Sequence, residues 1–183
     1  MSLKFITGNK NKFEEVQKML GLPLERLEID LPEIQSLDAE EIIRHKLLSA
    51  EEHAKGKYIV EDTSIYLECL GNKLPGPLIK WFEKAIEPKG ISELAQKMGN
   101  QKATARTIVG FADEDGGMHF FEGVQRGLMV APRGDKDFGW GPIFQPEGSS
   151  KTYGEMERDE KYSISMRAIA VHKLHDYLKN NHA

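Results

Sequence analysis

The strongest constraint on the fold is a long hairpin pattern in the middle of the chain. The segment ATARTIVGFADEDGGMHFFEGVQRGLMV, residues 103–130, contains two β-rich runs on either side of Asp115, Gly116 and Gly117. A glycine-containing turn between two such runs is a strong hairpin signal. The segment therefore predicts a long antiparallel pair of strands.

The segments around the hairpin alternate between strand and helix patterns. LKFIT (residues 3–7) predicts a strand, and Phe13, Val16 and Leu20 predict a helix that ends at Gly21. The patterns further predict a strand in LERLEIDLP closed by Pro32, a helix from a capping box at Asp38 and Glu41 to Gly56, a strand in KYIVEDT, a helix after the Pro/Gly corner LPGP, a helix over Ile91–Met98 and a last helix over Ile164–Lys179. This order predicts an α/β protein with a mixed central sheet flanked by helices.

Size and composition limit the class of protein. The 183 residues fit a single domain, 1–183, or one domain with two lobes. A net charge of −4, from 25 basic and 29 acidic residues, argues against a binder of duplex nucleic acid. The only cysteine, Cys69, allows no intrachain disulfide and fits a reducing compartment. No apolar run suits a signal peptide or a membrane span. We therefore expect a cytoplasmic protein that binds neither nucleic acid nor membrane.

The segment TGNKNK, Thr7 to Lys12, joins the first strand to the first helix. A turn of small and amide residues before a helix presents free backbone N–H groups and the positive end of the helix dipole, which suits a phosphate. Lys10 and Lys12 would add positive charge. The segment lacks the glycine spacing of a P-loop, so a polar turn with solvated lysines is the alternative interpretation.

Three acids follow predicted strands. Glu33 follows Leu31 and Pro32, and Glu61 and Asp62 follow the YIV strand. Carboxylates at strand ends lie at the rim of a sheet, where α/β proteins bind ligands. Converging carboxylates could hold Mg²⁺, which takes oxygen ligands and bridges to phosphates. The alternative is that these acids only cap the turns that follow.

Two basic side chains occupy unusual positions. Lys46 shares a helix face with Ile43 and Leu47, so it either extends along the edge of the core or reaches an anion. Near the C-terminus, Arg167 could offer a fixed fork of donors to a carbonyl or phosphate group. Its alternative is a surface ion pair with Asp159 or Glu160.

The segment DFGWGPIFQP, residues 137–146, concentrates aromatic residues and glycines. Phe138 and Trp140 could stack on a planar base, although such aromatics often pack into a core. No His/Cys cluster has the spacing of metal ligands, and no Ser-His-Asp system is indicated. Hydrolysis through a metal-bound water is therefore the more natural chemistry.

Taken in chain order, six motifs resemble the inosine triphosphate pyrophosphatase family, particularly its eukaryotic-type members. They are FITGNKNKFEEV, IDLPEIQ, VEDT, LPGPLIKWF, VAPRGDKDFGWGPIFQPEG and KTYGEM. The resemblance implies an elongated, two-lobed α/β fold with a central cleft and a homodimer. It also implies hydrolysis of nonstandard purine nucleoside triphosphates (ITP, dITP, XTP) to the monophosphate and pyrophosphate, with Mg²⁺ as cofactor and Mn²⁺ as an alternative ion.

The resemblance also implies roles for individual residues. Thr7, Asn9 and Lys12 would contact the triphosphate, Glu33 and Asp62 would serve the metal and the water, with Asp62 as general base, and Lys46 and Lys80 would contact phosphate or the acidic site. On the base side, Phe138, Gly139, Trp140 and Gly141 would border the base, and Lys161, Ser165 and Arg167 would complete its pocket. Three residues depart from the family pattern: Gly141 replaces an acid, Tyr162 an asparagine and Met166 a histidine.

These departures leave alternatives open. The chain could be a pyrophosphatase with retained activity and changed base preference, or its specificity could have moved to another nucleotide. Two further hypotheses remain. The chain could be a nucleotide-binding protein with reduced turnover, or an interaction protein whose aromatic residues all belong to the core. Loss of a hydrogen-bonding group from a polar base site can severely reduce discrimination.

Overall fold

The computed structural model describes residues 3–181, and it confirms a mixed α/β architecture. The strands are β1 Leu3–Ile6, β2 Leu24–Leu27, β3 Tyr58–Leu67, β4 Pro75–Gly76, β5 Lys102–Ala112, β6 Met118–Met129 and β7 Phe144–Pro146. The helices are α1 Lys10–Leu20, α2 Ala39–Glu51, α3 Ile79–Lys97, α4 Arg158–Ile164 and α5 Met166–Asn180. The strand order is β2-β1-β3-β5-β6-β7, and β4 pairs with β3. β1 is parallel to β2 and β3, whereas β3–β4 and β6–β7 are antiparallel, so the sheet is mixed.

The predicted hairpin is present as β5 and β6, joined by the turn 113–117. Asp113 N donates to Gly117 O at 3.0 Å, and the Asp113 carboxylate accepts from Gly117 N at 2.7 Å. His119 Nε2 lies 2.9 Å from the same carboxylate. The turn is therefore held by an acid that the sequence pattern had not singled out.

The first helix ends where the sequence indicates, because both of its ends are capped. Asn9 is extended, and its side chain accepts from Lys12 N at 3.1 Å. Gly21 adopts φ +64, the left-handed conformation in which a helix commonly ends. Asp38 likewise caps α2 by accepting from the backbone N–H groups of Glu40 and Glu41.

Several predicted boundaries are wrong. β2 ends at Leu27 rather than near Pro32, because its partner β1 ends at Ile6, which pairs with Leu27. α2 ends at Glu51 rather than near Gly56. The predicted last helix is present as α5, but it begins at Met166 rather than Ile164, because the extended backbone of Ser165 separates it from the short helix α4.

The helices predicted after LPGP and over Ile91–Met98 form the single element α3. Glu87 interrupts it with φ +59 and ψ 165, just before Pro88. A proline ring disfavours the α conformation in the residue before it, so the helix is kinked at Glu87 and the two predicted segments form its two arms.

The chain divides into two compact units, whose boundaries fall within β3, β5 and β6 and between α4 and α5. The first unit contains the chain up to Asp62, residues 107–123 and the chain from Met166 onward. In it, one face of the sheet carries Leu3, Phe5 and Ile59 in a core with α1 and α5. The alternate residues, including Ile6, Tyr58 and Val60, form a second core with α2. The alternation of strand side chains thus separates two helix layers.

The second unit comprises residues 63–106 and 124–165. Its core includes the aromatic side chains of Phe144 and Tyr153, whose ring centroids are 5.3 Å apart. The assignment of residues 1–183 to a single domain remains a prediction. Within residues 3–181, no helix combines the length and apolar character that a membrane span requires.

Candidate functional site

Glu61 and Asp62 lie in the middle of β3, not at the end of a strand. The prediction that Glu61 and Asp62 end a strand is therefore wrong, as is the alternative that they cap a turn directly after it. Glu33, which lies between β2 and α2, does not end a strand either. Successive side chains of a strand point to opposite faces of the sheet. Glu61 accordingly shares the face of Ile59 with α1 and α5, and Asp62 shares the face of Val60 with α2. Three acids that the sequence grouped at one rim are thus divided between two faces.

Lys46 is the centre of the cluster on the α2 face. Its helix position beside Ile43 and Leu47 directs it toward the sheet, and it is buried. Its Nζ lies 2.7 Å from a Glu33 oxygen and 3.3 Å from Asp62 Oδ1. Burial opposes the charged form, but Asp62 and Glu33 outweigh it, so the pKa of Lys46 is raised. The prediction that Lys46 is not a solvated lysine is confirmed.

Asp62 has an oxygen available for further chemistry. Burial raises the pKa of Asp62 above its ordinary value, although Lys46 and Lys12 act in the opposite direction. Its Oδ2 is buried and has no hydrogen-bond partner in the part of the chain that the structure describes. A buried carboxylate oxygen of this kind normally has a partner. Asp62 can therefore accept a proton or bind a cation without losing its contact with Lys46.

On the opposite face, Arg167 is enclosed by acids. Its side chain is only 3% exposed, and it binds Glu15 through Nη1 and Glu61 through Nη2, the latter at 3.4 Å. Burial opposes its charge, but Glu61 and Glu15 raise the pKa of Arg167 above its ordinary value. The alternative of a surface ion pair with Asp159 or Glu160 is therefore wrong.

Hydrogen bonds within the segment and from Arg26 of β2 fix the conformation of the turn TGNKNK. Thr7 Oγ1 accepts from Asn9 N at 3.1 Å, and Arg26 donates to the carbonyl oxygens of Thr7 and Gly8 at 3.1 and 2.9 Å. Gly8, Asn9 and Lys10 remain exposed at the N-terminus of α1. Lys12 turns inward, with Nζ 3.3 Å from Glu61 Oε2. The segment combines an exposed helix start with a lysine tied to the buried acids.

The base-side candidates lie in the second unit, except for Arg167 in the first. Lys161 Nζ donates to Asp137 Oδ1 at 2.6 Å and lies 5.1 Å from the ring centroid of Phe138. Trp140 is half-buried and packs edge-on against Phe144, with ring centroids 5.5 Å apart. Trp140 therefore forms part of an aromatic cluster, as the core interpretation of this segment proposed.

The remaining candidates have different surroundings. Lys80 and Gly139 are exposed, whereas Ser165 is buried at the junction of α4 and α5. The three residues that depart from the family pattern, Gly141, Tyr162 and Met166, are all buried. These three differences from the family pattern therefore affect the packing of the interior as well as the polar groups of the site.

The donor set of the α2-face cluster suits a hard cation. Glu33 and Asp62 converge on Lys46 and offer carboxylate oxygens, the ligands that Mg²⁺ prefers. Within residues 3–181, no group of three or more His, Cys, Asp or Glu side chains is arranged to hold a metal. Mg²⁺ commonly binds through one or two carboxylates together with water and substrate phosphates, so two acids are sufficient.

Sequence reasoning missed three residues of these clusters. Glu15 lies between the apolar positions Phe13 and Val16 of α1, so it carried the same signal as Lys46, a charge beside an apolar stripe. Asp137 precedes the aromatic run directly. Arg26 lies in the edge strand β2 and carried no distinguishing signal.

The fold and these clusters define a protein of the α/β class in which a buried lysine and a buried arginine are each paired with acids, on opposite faces of a mixed sheet. The chain belongs to the Ham1 family, whose model matches residues 3–177. It is 38% identical over 182 residues to the inosine triphosphate pyrophosphatase of Schizosaccharomyces pombe, covering 98% of this chain and 96% of that protein.

Solved structures show the same fold. The Ham1 protein of Coxiella burnetii superposes with a TM-score of 0.79 at 22% identity, covering 98% of this chain and 100% of that one. The Ham1 protein of Staphylococcus aureus gives a TM-score of 0.78 at 22% identity, with the same coverage. The mixed α/β fold expected from the sequence is thereby confirmed.

Proposed function

We propose that this chain is a nucleoside triphosphate pyrophosphatase that hydrolyses nonstandard purine nucleoside triphosphates to the monophosphate and pyrophosphate. The observation that carries the proposal is the cluster of Glu33 and Asp62 around the buried Lys46 in a chain of the Ham1 family. The 38% identical inosine triphosphate pyrophosphatase supports the substrate class. ITP, dITP and XTP are the substrates proposed.

Asp62 is proposed as the general base. Its Oδ2 accepts the proton of a water that attacks the α-phosphorus, while the bond from that phosphorus to the bridging oxygen breaks and pyrophosphate leaves. Burial and the raised pKa of Asp62 favour this role, because a base works best when its pKa approaches the working pH. Lys46 contacts Asp62 through Oδ1, and Oδ2, which has no hydrogen-bond partner among the described residues, would accept the proton of the water.

Glu33 and Asp62 would hold Mg²⁺, with Mn²⁺ as an alternative ion. The ion, when bound, would supply positive charge to the phosphates and lower the pKa of a bound water. Thr7, Asn9 and Lys12 are proposed to contact the triphosphate, since the exposed start of α1 favours anions. Lys80 is proposed to add a further positive charge.

The base is proposed to lie against Phe138, Gly139, Trp140 and Gly141. Lys161, Ser165 and Arg167 are proposed to contribute polar contacts. Arg167 would act through the buried acids that it neutralises, because Glu15 and Glu61 already engage its guanidinium. A cytoplasmic location and a homodimer complete the proposal, and light scattering of the purified protein tests the dimer.

The test is a pyrophosphate-release panel over ITP, dITP, XTP, dUTP and the ordinary nucleoside triphosphates, with and without Mg²⁺. Asp62→Asn should lower kcat by roughly 10²–10⁴-fold, the usual contribution of a general base. Asp176→Asn is the matched control, because this acid is 76% exposed and outside the cluster. Full activity of Asp62→Asn, with both variants folded by circular dichroism, would refute the assignment of the base.

A release panel in which no nonstandard purine triphosphate is preferred would contradict the substrate class. The same panel tests the alternative of a binding protein with reduced turnover, which predicts nucleotide-dependent thermal stabilisation without pyrophosphate release.

A further inference from the structure

Arg26 of β2 binds the turn that joins β1 to α1. Its backbone pairs with Phe5 of β1, two residues before the turn begins at Thr7. Its Nε donates to Thr7 O at 3.1 Å, and its Nη2 donates to Gly8 O at 2.9 Å. Nη2 also lies 3.4 Å from Glu28 Oε2. One guanidinium group therefore binds two successive carbonyl groups of the turn and one acid.

These hydrogen bonds fix the orientation of two peptide groups. A trans peptide is planar, so its carbonyl and its N–H group point in opposite directions. The carbonyl of Thr7 points to Arg26, and the N–H group of Gly8 therefore points away from it. In the next peptide, the carbonyl of Gly8 points to Arg26, and the N–H group of Asn9 donates to Thr7 Oγ1 at 3.1 Å. The turn thus directs two of its carbonyl oxygens toward a cation.

The alternative is that Arg26 only protects an edge strand. Charged side chains on edge strands discourage pairing with other chains, and this effect needs no fixed partner. The side chain of Arg26 is only 24% exposed, whereas that of its ionic partner Glu28 is 73% exposed. An ion pair with such an exposed acid contributes little to stability. The two hydrogen bonds to the carbonyl oxygens of the turn therefore need a separate explanation.

We propose that Arg26 is a positioning residue for the triphosphate of the substrate. Carbonyl oxygens repel an anion, and Arg26 binds those of Thr7 and Gly8, while the exposed start of α1 presents the positive end of the helix dipole. Arg26 thereby fixes the turn in the conformation that receives the anion before the anion binds. This inference rests on the proposed function, in which Thr7, Asn9 and Lys12 contact the triphosphate.

The size of the effect follows from the order that Arg26 imposes on the turn. Ordering the backbone of one residue lowers an equilibrium constant by roughly tenfold. Without Arg26, Thr7 would still be held through its N–H group, which donates to Leu27 O at 3.0 Å, so the loss falls mainly on Gly8. We therefore expect the loss of Arg26 to weaken triphosphate binding by about tenfold.

The test measures the binding of inorganic tripolyphosphate by calorimetry in EDTA. This probe carries the phosphates without a base, and EDTA excludes any effect of a metal ion. Arg26→Met removes the guanidinium, whereas Arg26→Lys keeps the charge but loses the fork of donors that spans two carbonyl oxygens. Glu28→Gln removes only the ionic partner. Arg44→Met is the matched control, because Arg44 is 51% exposed and pairs with Glu40 on α2.

Both variants of Arg26 should bind tripolyphosphate about tenfold more weakly than the parent protein, while Glu28→Gln and Arg44→Met should stay within about twofold of it. With ITP and Mg²⁺, the KM of Arg26→Met should rise by a similar factor and kcat should be largely kept, because the turn binds the ground state and the transition state alike. A general loosening of the protein would instead lower kcat through a smaller active fraction. Circular dichroism checks that each variant is folded, and Arg26→Gln replaces Arg26→Met if the latter does not fold.

Unchanged tripolyphosphate affinity in Arg26→Met would overturn the inference, as would a parent protein that does not bind the probe. Full affinity in Arg26→Lys would overturn it as well, because charge alone would then be sufficient. A lower kcat with an unchanged KM would reduce Arg26 to a structural role. A protein whose tripolyphosphate affinity depends on Arg26 but which releases no pyrophosphate would refute the proposed function and leave this inference standing.

Discussion

The buried arginine provides a sharp test of how charge is balanced in the first unit. Arg167 is 3% exposed, and its two acids, Glu15 and Glu61, are 9% and 1% exposed. Arg167→Met preserves most of the side-chain volume and removes the charge. Two carboxylates then remain in the interior without the arginine, although Glu61 keeps its contact with Lys12.

The expected cost follows from burial. Removing one partner of a buried ion pair lowers the free energy of unfolding by about 3–5 kcal/mol, because the remaining charge is left in the interior. In a chain of this size each kcal/mol lowers the melting temperature by about 2–4 °C, so the expected fall is on the order of 6–20 °C.

Urea unfolding at pH 7, followed by circular dichroism, measures this loss of stability. Arg44→Met is the matched control, because Arg44 is 51% exposed and pairs with Glu40 on the surface of α2. Its expected cost is at most about 1 kcal/mol. A cost for Arg167→Met no larger than that of the control would refute the reasoning.

Two further predictions concern β6 and the hairpin turn. The hydrogen bond from His119 lowers the pKa of Asp113, so the charged acid stabilises the fold above about pH 4 and this contribution is lost as pH falls through the folded pKa. Asp113→Asn should therefore cost at most about 1 kcal/mol at pH 7, with a smaller difference at pH 3 in urea unfolding. Gly123→Ala should cost about 1–3 kcal/mol or more, because its Cβ would lie 1.8 Å from Met166 O, whereas the control Gly8→Ala meets nothing within 4 Å. Equal melting temperatures for those two glycine variants would contradict the close packing of β6 on α5.

Local patterns in the sequence were enough to predict the mixed α/β class and most elements. The β5–β6 hairpin and the caps of α1 depend on residues that are neighbours in the chain, such as Asn9 and Gly21, and their positions were predicted well. The end of β2 was not, because it depends on how far β1 extends alongside it. A strand boundary set by a partner strand leaves no mark in the strand's own residues.

The same distinction applies to the clusters of charged residues. Lys46 could be recognised as unusual because its helix neighbours are apolar, but its partners Glu33 and Asp62 come from other segments. The acids were predicted together at one rim, since β3 was expected to end before them. The partner of Lys161 could not be predicted, because Asp137 reaches it only through the fold of the loop before β7.

Two adjacent acids lie on opposite faces of β3. The register of this strand is therefore determined by ion pairing as well as by the packing of its apolar side chains. Ile59 lies opposite Phe5 on β1, and this pairing fixes which acid meets Arg167 and which meets Lys46. A slip of one residue would exchange Glu61 and Asp62 and would also turn Val60 toward the wrong core. A chain with the wrong register would thus bury mismatched charges together with displaced apolar groups. The charged residues therefore destabilise the wrong pairing of β3 and favour the correct one. Single-residue insertions or deletions in β3 should consequently be tolerated far less than those in the loop between β2 and α2.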